Sequence, residues 1–270
     1  MVISFLFFIP VAGCARQENG KVLNVSGSST VLPVVTAAAE EYQKRNPGIK
    51  VGVQGGGSSA GIEAAITGAS DIGTSSRDLK GEETTLGLAD TVIAIDAIAI
   101  IVNPDNPVNG LSQKQVQAIF TGKLTNWKEV GGNDAEIVLV NRDEASGTRE
   151  AFLKIAMNKV AFSKNAVIQP GTGQVRSIVG NTPGAIGYIS LGYVTRDVKI
   201  VKYEKVVPSK TNVVNGKYKL QRKLHFFTKG KPEGEVLKFT EFVLADWVQS
   251  KIVSREFVPA PKPKTSKKAK

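Results

Sequence analysis

Apolar residues in this chain follow two alternating patterns, short runs with the period of a strand and longer runs with the period of a helix. Residues 49–53 alternate between apolar and polar side chains, and residues 62–69 carry apolar side chains on one helical face. The same order of strand, small polar turn and helix occurs at 22–45 and again at 137–156. This alternation predicts an α/β fold in which ligands bind at the carboxyl ends of the strands.

Two breaks in these patterns divide the chain into lobes joined by two crossovers. A long apolar run from Thr91 to Val102 ends at a turn-forming segment, 103–107, which predicts a crossing into a second lobe. Residues 198–207 alternate weakly and predict a return to the first lobe, and Glu235 to Ser250 has helical spacing. The predicted units are a signal peptide at 1–14, a tether at 15–21, a discontinuous first lobe at 22–101 and 200–258, a second lobe at 102–199, and a basic disordered tail at 259–270.

The positive charge of the chain is concentrated at one end. With 41% hydrophobic and 22% charged residues, the 270-residue chain has the composition of a soluble globular protein, and its formal net charge is +11. Five of these charges belong to lysines at 262, 264, 267, 268 and 270. The rest of the chain has no basic helix face, which argues against a nucleic-acid partner. The tail is interpreted either as a solvated extension or as a surface for an anionic envelope.

The first fourteen residues are apolar but too short to span a bilayer as a helix, as is typical of a signal peptide. They end in Val11-Ala12-Gly13-Cys14, which resembles the bacterial lipobox, so we expect an exported protein anchored by a lipid on Cys14. The anchor would hold it at the outer face of the cell membrane or on the periplasmic side. Cys14 is the only cysteine, so no disulfide can form within the chain. The alternative is a buried cysteine in an N-terminal helix.

The stretch from Val138 to Phe152 combines a strand, a turn and a helix start. Ser146 is a favourable N-cap, Gly147 lets the backbone approach a ligand closely, and Arg142 lies four residues upstream of the cap. A helix start carries unpaired N–H groups and a partial positive charge, so it attracts anions, and an arginine adds a fork of donors. The alternative interpretation is an ordinary capped helix with a solvated arginine.

Three other turns carry small hydroxyl residues, at 29–31, 58–59 and 75–76. Together with Ser146, Gly147 and Thr148 they offer hydroxyls, helix-start amides and one guanidinium. This set suits a small tetrahedral oxyanion. Neither a His-Glu-x-x-His motif nor a Cys/His cluster is present, and the Gly-rich turn at 55–57 lacks the lysine of a P-loop, so we predict no metal and no cofactor.

Five segments make the chain similar to a known family, the phosphate-binding lipoproteins of bacterial phosphate ABC transporters. They lie between Val22 and Phe257 and are S-G-S-S-T (26–30), G-G-G-S-S-A-G (55–61), S-D-I-G-T-S-S-R (70–77), I-F-T-G-K-L-T-N-W-K-E-V-G-G (119–132) and N-R-D-E-A-S-G-T-R-E-A-F (141–152). The resemblance implies a type II periplasmic binding protein fold with two α/β lobes and a ligand enclosed between them. It also implies a monomeric receptor, not an enzyme, that binds inorganic phosphate and delivers it to the permease and ATPase subunits of a transporter.

The resemblance further implies which residues contact phosphate. They are Ser29, Thr30, Val31, Ser58, Ser76, Arg142, Ser146, Gly147 and Thr148. Thr30 and Ser58 would use hydroxyl and amide groups, and Val31 its amide. Arg142 would supply the only positive charge placed in the cleft, with Glu144 holding it in position.

Ser76 departs from the family pattern. Well-known members carry at this position an aspartate that accepts a proton from phosphate and thereby rejects sulfate. A hydroxyl imposes no charge repulsion on a fully ionised anion, so we expect weaker discrimination between phosphate and sulfate. Asp71 is the nearest replacement carboxylate in the sequence, although bracing the turn is its more common role. A binding protein for sulfate, molybdate or another tetrahedral oxyanion is therefore a second hypothesis.

A serine hydrolase is a third hypothesis, because Gly57 to Gly61 matches the Gly-x-Ser-x-Gly nucleophile elbow. Ser59 would be the nucleophile and His225, the only histidine, the base. His225 lies in an apolar, strand-like run, where a lone histidine is more often structural. The hydrolase hypothesis also leaves the other hydroxyl turns without a role.

Overall fold

The computed structural model describes residues 21–262. The predicted signal peptide with Cys14, the tether up to residue 20 and the last eight residues of the tail lie outside the described residues. The strands are β1 (Lys21–Gly27), β2 (Ile49–Gly55), β3 (Ile72–Ser75), β4 (Leu88–Val102), β5 (Gly110–Leu111), β6 (Val138–Arg142), β7 (Val167–Gln169), β8 (Ala185–Ser190), β9 (Lys199–Tyr203), β10 (Gln221–Lys229) and β11 (Val258–Pro259). The main helices are α1 (Leu32–Arg45), α2 (Ser58–Thr67), α3 (Gln113–Phe120), α4 (Gly147–Ile155), α5 (Thr172–Asn181), α6 (Lys210–Val214) and α7 (Gly234–Leu244).

The strands form two sheets that share the long strand β4. In the first lobe the order is β2-β1-β3-β10-β4, with β11 pairing the other side of β4. In the second lobe β4 is followed by β8, β6 and β7, while β9 pairs its other side and β5 pairs β9. In each lobe parallel strands lead into helices, and an antiparallel strand borders the crossing between lobes. The predicted α/β architecture is therefore confirmed.

Each lobe has its own hydrophobic core, and β4 contributes to both. Ile93 and Ala94 pack in the first core, whereas Ile98 and Ile100 pack in the second. No helix within residues 21–262 is long and apolar enough to cross a membrane.

The second crossing differs in position from the sequence-based boundary at residue 200. Strand β9 pairs with β4 at Ile100 to Val102, and Tyr218 and Leu220 are buried in the second core. The chain returns to the first lobe at β10. The weak alternation at 198–207 does belong to a strand, but its hydrogen-bond partners place that strand in the second lobe.

The predictions at the C-terminal end are partly wrong. The helix expected over Glu235 to Ser250 ends at Leu244, because Ala245 has an extended ψ of 139°, and short helical turns follow. The tail expected to be disordered from residue 259 is ordered as far as Lys262 within the described residues. Pro259 pairs with Ala94 in β4, and the Ala260 amide donates to Gln249 Oε1 at 2.9 Å.

Helix α2 packs directly on β1 and β3 through glycines. A Cβ atom on Gly61 would lie 2.6 Å from Gly27 Cα and 2.6 Å from the Thr74 carbonyl oxygen. Backbone atoms at these distances cannot move aside as a flexible side chain would. The glycines therefore set how closely the start of α2 approaches the sheet edge at the cleft.

We expect Gly61→Ala to lower the free energy of unfolding by about 1–3 kcal/mol, because the new methyl group overlaps backbone atoms. For a chain of this size that loss lowers the melting temperature by about 2–4 °C per kcal/mol, measurable by scanning calorimetry. Gly173→Ala is the matched control, since Gly173 is also near a helix start but has no atom within 4 Å of its Cβ position. Equal melting temperatures for the two variants would contradict the packing argument.

Candidate functional site

Four helix starts converge on the cleft between the lobes, those of α1 and α2 from the first lobe and those of α4 and α5 from the second. They meet because parallel strands end at one edge of each sheet, and the two edges face each other. The lobes touch here directly: Thr30 Oγ1 lies 3.2 Å from Thr148 Oγ1, and the Ser59 amide donates to the Ala145 carbonyl at 3.1 Å. The structure is thus closed around the cleft.

The first lobe contributes buried hydroxyls from three separate turns. Ser58 Oγ lies 3.2 Å from Ser76 Oγ and accepts a hydrogen bond from the Ser76 amide at 3.0 Å. Ser58, Ser76 and Thr30 are all nearly inaccessible to solvent. Three residues that are distant in the sequence therefore lie together on one side of the cleft.

The second lobe contributes the start of α4, where Ser146 caps the helix by accepting from the Arg149 amide at 3.2 Å. Gly147 faces the first lobe so closely that a Cβ atom would lie 2.3 Å from Ser58 Oγ and 2.8 Å from Ser76 Oγ. The amides of the first helical turn have no intrahelical acceptor. The absence of a side chain at Gly147 therefore permits this close approach of the two lobes.

Arg142 lies at the end of β6 and is buried. Its guanidinium donates to the carbonyls of Gln169 and Pro170, at 3.1 and 2.8 Å, and to the hydroxyls of Thr172 and Ser29, at 3.2 and 3.4 Å. Burial lowers the pKa of this guanidinium, and the neighbouring Asp143 opposes that shift.

The prediction that Glu144 holds Arg142 in position is wrong. The Glu144 side chain is 93% exposed and pairs instead with Arg149 at 4.0 Å. Arg142 is instead held by the loop between β7 and α5, through the carbonyls of Gln169 and Pro170 and the hydroxyl of Thr172. This contact could not be inferred from the sequence, because it joins Arg142 to a loop 27 to 30 residues further along the chain.

Ser29 and Val31, two residues of the first turn that were predicted to contact the ligand, have protein groups as partners in the structure. Ser29 contacts the second lobe, since its hydroxyl lies 3.3 Å from Thr172 Oγ1 and its carbonyl accepts from the Tyr193 hydroxyl at 2.5 Å. The Val31 amide donates to the Ser28 carbonyl at 3.1 Å, and its side chain is buried in the first core. Val31 therefore does not present a free amide to the cleft in this structure.

A second guanidinium, that of Arg222, also reaches the site. It donates from Nη1 to Ser76 Oγ and from Nη2 to Thr30 Oγ1, both at 3.2 Å. Behind it Asp96 accepts from Nε and Nη2 at 3.0 and 2.8 Å, and Ser190 donates to the other oxygen of Asp96 at 2.7 Å. The expectation of a single positive charge in the cleft is therefore wrong.

Arg222 and Asp96 are directly opposite each other on strands β10 and β4, where the chain crosses between lobes. Burial lowers the pKa of Arg222 and raises that of Asp96, and each shift is opposed by the charge of the partner. The sequence does contain a signal for this residue. Leu220, Arg222 and Leu224 alternate as the inward side of a strand, and a charged residue is rarely buried there without a partner.

The residues of the hydrolase hypothesis are not brought together. Ser59 Oγ accepts from Arg77 Nη2 at 3.1 Å, while His225 Nδ1 lies 2.7 Å from Asp90 Oδ1 and its other nitrogen lies 3.4 Å from Asp78. No hydrogen bond joins Ser59 to His225 in the described part of the chain. The histidine is buried in β10, in agreement with a structural role.

Asp71 braces the first sheet. Its carboxylate accepts from the Asn24 amide at 2.7 Å, at the opposite end of β3 from Ser76. Within residues 21–262 no group of three or more histidines, cysteines, aspartates or glutamates is arranged to hold a metal ion. The chemistry of the cleft is therefore that of hydroxyls, amides and guanidiniums, which bind an anion through hydrogen bonds.

Comparison with known proteins relates most of the chain to one group. A family model described as a PBP superfamily domain matches residues 15–246. The phosphate-binding protein PstS of Bacillus subtilis is 37% identical over 92% of this chain and 83% of its own length. The protein of the same name from Borreliella burgdorferi is 30% identical over 95% of this chain and 98% of its own.

Solved structures that are similar to this chain come from the same kind of protein as these relatives. A Clostridium perfringens protein crystallised with bound phosphate is 40% identical, with a TM-score of 0.85 over 89% of this chain and 100% of that one. An ABC-type phosphate transport receptor from Vibrio cholerae is 31% identical, with a TM-score of 0.76 over the same shares. By its sequence, its two-lobed fold and its cleft, this chain belongs to the PBP superfamily and, within it, to the family of PstS phosphate-binding proteins.

Proposed function

We propose that this protein binds inorganic phosphate in the cleft between its lobes and delivers it to an ABC transporter permease for import. The observation that carries the proposal is the buried set of donors on both sides of the closed cleft. From the first lobe and the crossing strand these are Thr30, Ser58, Ser76 and Arg222. From the second lobe they are Arg142 and the start of α4. The names of the relatives support phosphate as the anion.

The binding would work by replacing the water around phosphate with fixed donors. Hydrogen bonds from guanidiniums to an anion are short and charge-assisted, and they strengthen when water is excluded. Phosphate would favour the closed state, because only closure brings Thr148 and Gly147 of one lobe to Ser58 and Ser76 of the other. Release to the transporter would require the lobes to separate. No covalent step is involved, so phosphate leaves unchanged.

The location and partners belong to the same proposal. A lipid on Cys14 would anchor a monomer outside the cytoplasmic membrane, next to the permease and ATPase subunits of the transporter. The lipobox-like sequence ending at Cys14 supports the anchor. We propose no nucleic-acid partner and no enzymatic activity.

A second candidate ligand is another tetrahedral oxyanion, with sulfate the first to test. Ser76 favours this candidate, because a hydroxyl at this position does not repel a fully ionised anion as a carboxylate would. The carboxylate of Asp96 is fully buried and paired with Arg222, the residue that donates to Ser76. The two candidates share one site, so direct competition separates them.

Arg142→Ala should weaken phosphate binding at least roughly 30-fold, since truncating one partner of a buried charge pair costs about 2–5 kcal/mol. Isothermal titration calorimetry measures the change. Arg149→Ala is the matched control, because Arg149 lies on α4 but is directed to Glu144 and the ring of Phe162. Native affinity in Arg142→Ala, with the variant folded, would contradict the assigned site.

Gly147→Ala should weaken phosphate binding about tenfold or more without lowering the melting temperature of the ligand-free protein. The added methyl would overlap Ser58 Oγ only when the lobes close, at a cost of about 1–3 kcal/mol. Small-angle scattering with excess phosphate should show a larger radius of gyration than the native protein. A variant as compact as the native protein, with equal affinity, would show that closure does not depend on this glycine.

Ser76→Asp should raise the preference for phosphate over sulfate by about tenfold or more. A carboxylate accepts a proton from phosphate but stays unpaired and repulsive beside sulfate, which has no proton to donate. Competition titration of both anions measures the ratio. Ser76→Ala removes the hydroxyl without adding charge and should weaken both anions alike. A native protein that ignores sulfate at large excess would refute the role given to Ser76.

A further inference from the structure

Two ion pairs connect the lobes at the rim of the cleft, outside the buried hydroxyls and guanidiniums. Lys80 Nζ of the first lobe lies 3.3 Å from Glu150 Oε2 of the second. Asp78 Oδ2 of the first lobe lies 3.8 Å from Lys154 Nζ of the second. These four side chains are 34–65% exposed, whereas Ser76 is 1% exposed. The ion pairs therefore hold charges of the two lobes together on the solvent side of the candidate site.

In the first lobe, the charges of this rim belong to the loop that follows Ser76. Arg77 fixes the loop, because its guanidinium donates to both carboxylate oxygens of Glu83, at 2.7 and 2.8 Å, and to the Asp78 carbonyl at 3.0 Å. Glu83 also accepts from the Lys80 amide at 2.9 Å. Since the backbone of the loop is held within the first lobe, Asp78 and Lys80 lose less conformational freedom when they pair across the cleft.

In the second lobe, both charges belong to α4, the helix whose start faces the first lobe. Glu150 and Lys154 are four residues apart and are therefore neighbours on one side of the helix. Gly147 lies about one turn before Glu150, and a Cβ atom on it would lie 2.3 Å from Ser58 Oγ. A shift of α4 away from the first lobe would therefore open the site and separate the ion pairs together.

The signs of these four charges are crossed between the lobes. Each lobe provides one cation and one anion, so that in the closed arrangement each charge meets its opposite. A displacement along the cleft that brought Lys80 toward Lys154, or Asp78 toward Glu150, would place like charges together, which is unfavourable. The four charges sum to zero, so they add no net attraction for an anion. Their effect on a bound anion would act through closure of the lobes.

We propose that these two ion pairs form a rim latch, a contact between the lobes that stabilises the closed state and thereby tightens binding of the enclosed anion. This rests on the proposed function, because the latch acts on the same closure. An ion pair with this exposure contributes little, so each pair shifts the balance between closed and open lobes by about two- to fivefold. A latch of that strength favours the closed state and still allows the lobes to separate when the ligand is delivered.

Charge reversal of the pair between Lys80 and Glu150 tests the latch, by titration calorimetry with inorganic phosphate. This pair is chosen because Asp78 of the other pair also lies 3.4 Å from His225. Lys80→Glu and Glu150→Lys should each weaken phosphate binding by about two- to tenfold, because each places like charges across the cleft. The double variant restores an ion pair of opposite polarity, so its affinity should return to within about twofold of the native value.

The directions of the two single changes separate the latch from simple electrostatic attraction. If the rim charges acted only through their field, Lys80→Glu would weaken phosphate binding and Glu150→Lys would strengthen it, because they change the net charge in opposite directions. The latch predicts that both changes weaken it. The double-mutant cycle also subtracts the effects that each change has alone, such as loss of the acidic Glu150 from the first turn of α4.

The pair between Lys128 and Asp134 is the matched control, since its atoms are 2.9 Å apart and its side chains are 59% and 70% exposed, but both residues belong to the second lobe. Lys128→Glu and Asp134→Lys make the same changes in net charge and should leave phosphate affinity within about twofold of native. An absence of coupling between Lys80 and Glu150, or tighter binding by Glu150→Lys, would overturn the latch and leave the proposed function intact. A native protein that does not bind phosphate would overturn the proposed function and the latch with it.

Discussion

Two buried guanidiniums and several helix starts meet in the cleft between the lobes, and this electrostatic constraint organises the molecule. Groups of this kind lose their hydration when the lobes close, and only hydrogen bonds and negative charge can compensate for that loss. Arg142 is compensated by backbone carbonyls of the β7–α5 loop, and Arg222 by Asp96. The hydroxyls of Ser58, Ser76 and Thr148 add further hydrogen-bonding groups on both sides of the cleft. In the proposed function, closure of the lobes and capture of the ligand are therefore the same physical event.

The ion pair between Asp96 and Arg222 links this event to the crossing between lobes. Asp96 lies on β4 and receives a hydrogen bond from Ser190, a residue of the second sheet, while Arg222 on β10 reaches the hydroxyls of the first lobe. One buried pair thus touches both lobes and the binding site. A surface pair could not do this, because solvent would screen it and its side chains would move freely. Because Arg222 and Asp96 lie opposite each other on paired strands, backbone hydrogen bonds fix the position of the guanidinium at the cleft.

Much of the fold could be predicted from the sequence, because it depends on local patterns. The hydrophobic period and capping residues located β6, α4 and the cap at Ser146. The errors fall where a strand could pair on either side. Strand β9 has the alternation of any edge strand, and only its hydrogen bonds with β4 assign it to the second lobe. Similarly, Ala245 ends α7 within a stretch whose helical spacing continues unbroken.

For the site, the sequence by itself determined the kinds of groups available: hydroxyl-rich turns before helices, a glycine at a helix start, and an arginine beside it. Tertiary structure alone decided which partners those groups have. Glu144 is only two residues from Arg142 in the chain, yet its side chain is exposed to solvent. Arg222 is 146 residues from Ser76, yet it lies within hydrogen-bond distance of the Ser76 hydroxyl. The physical reason is that helix and turn signals arise from interactions over a few residues. The environment of a buried charge arises from sheet pairing and lobe closure, which join residues at any separation.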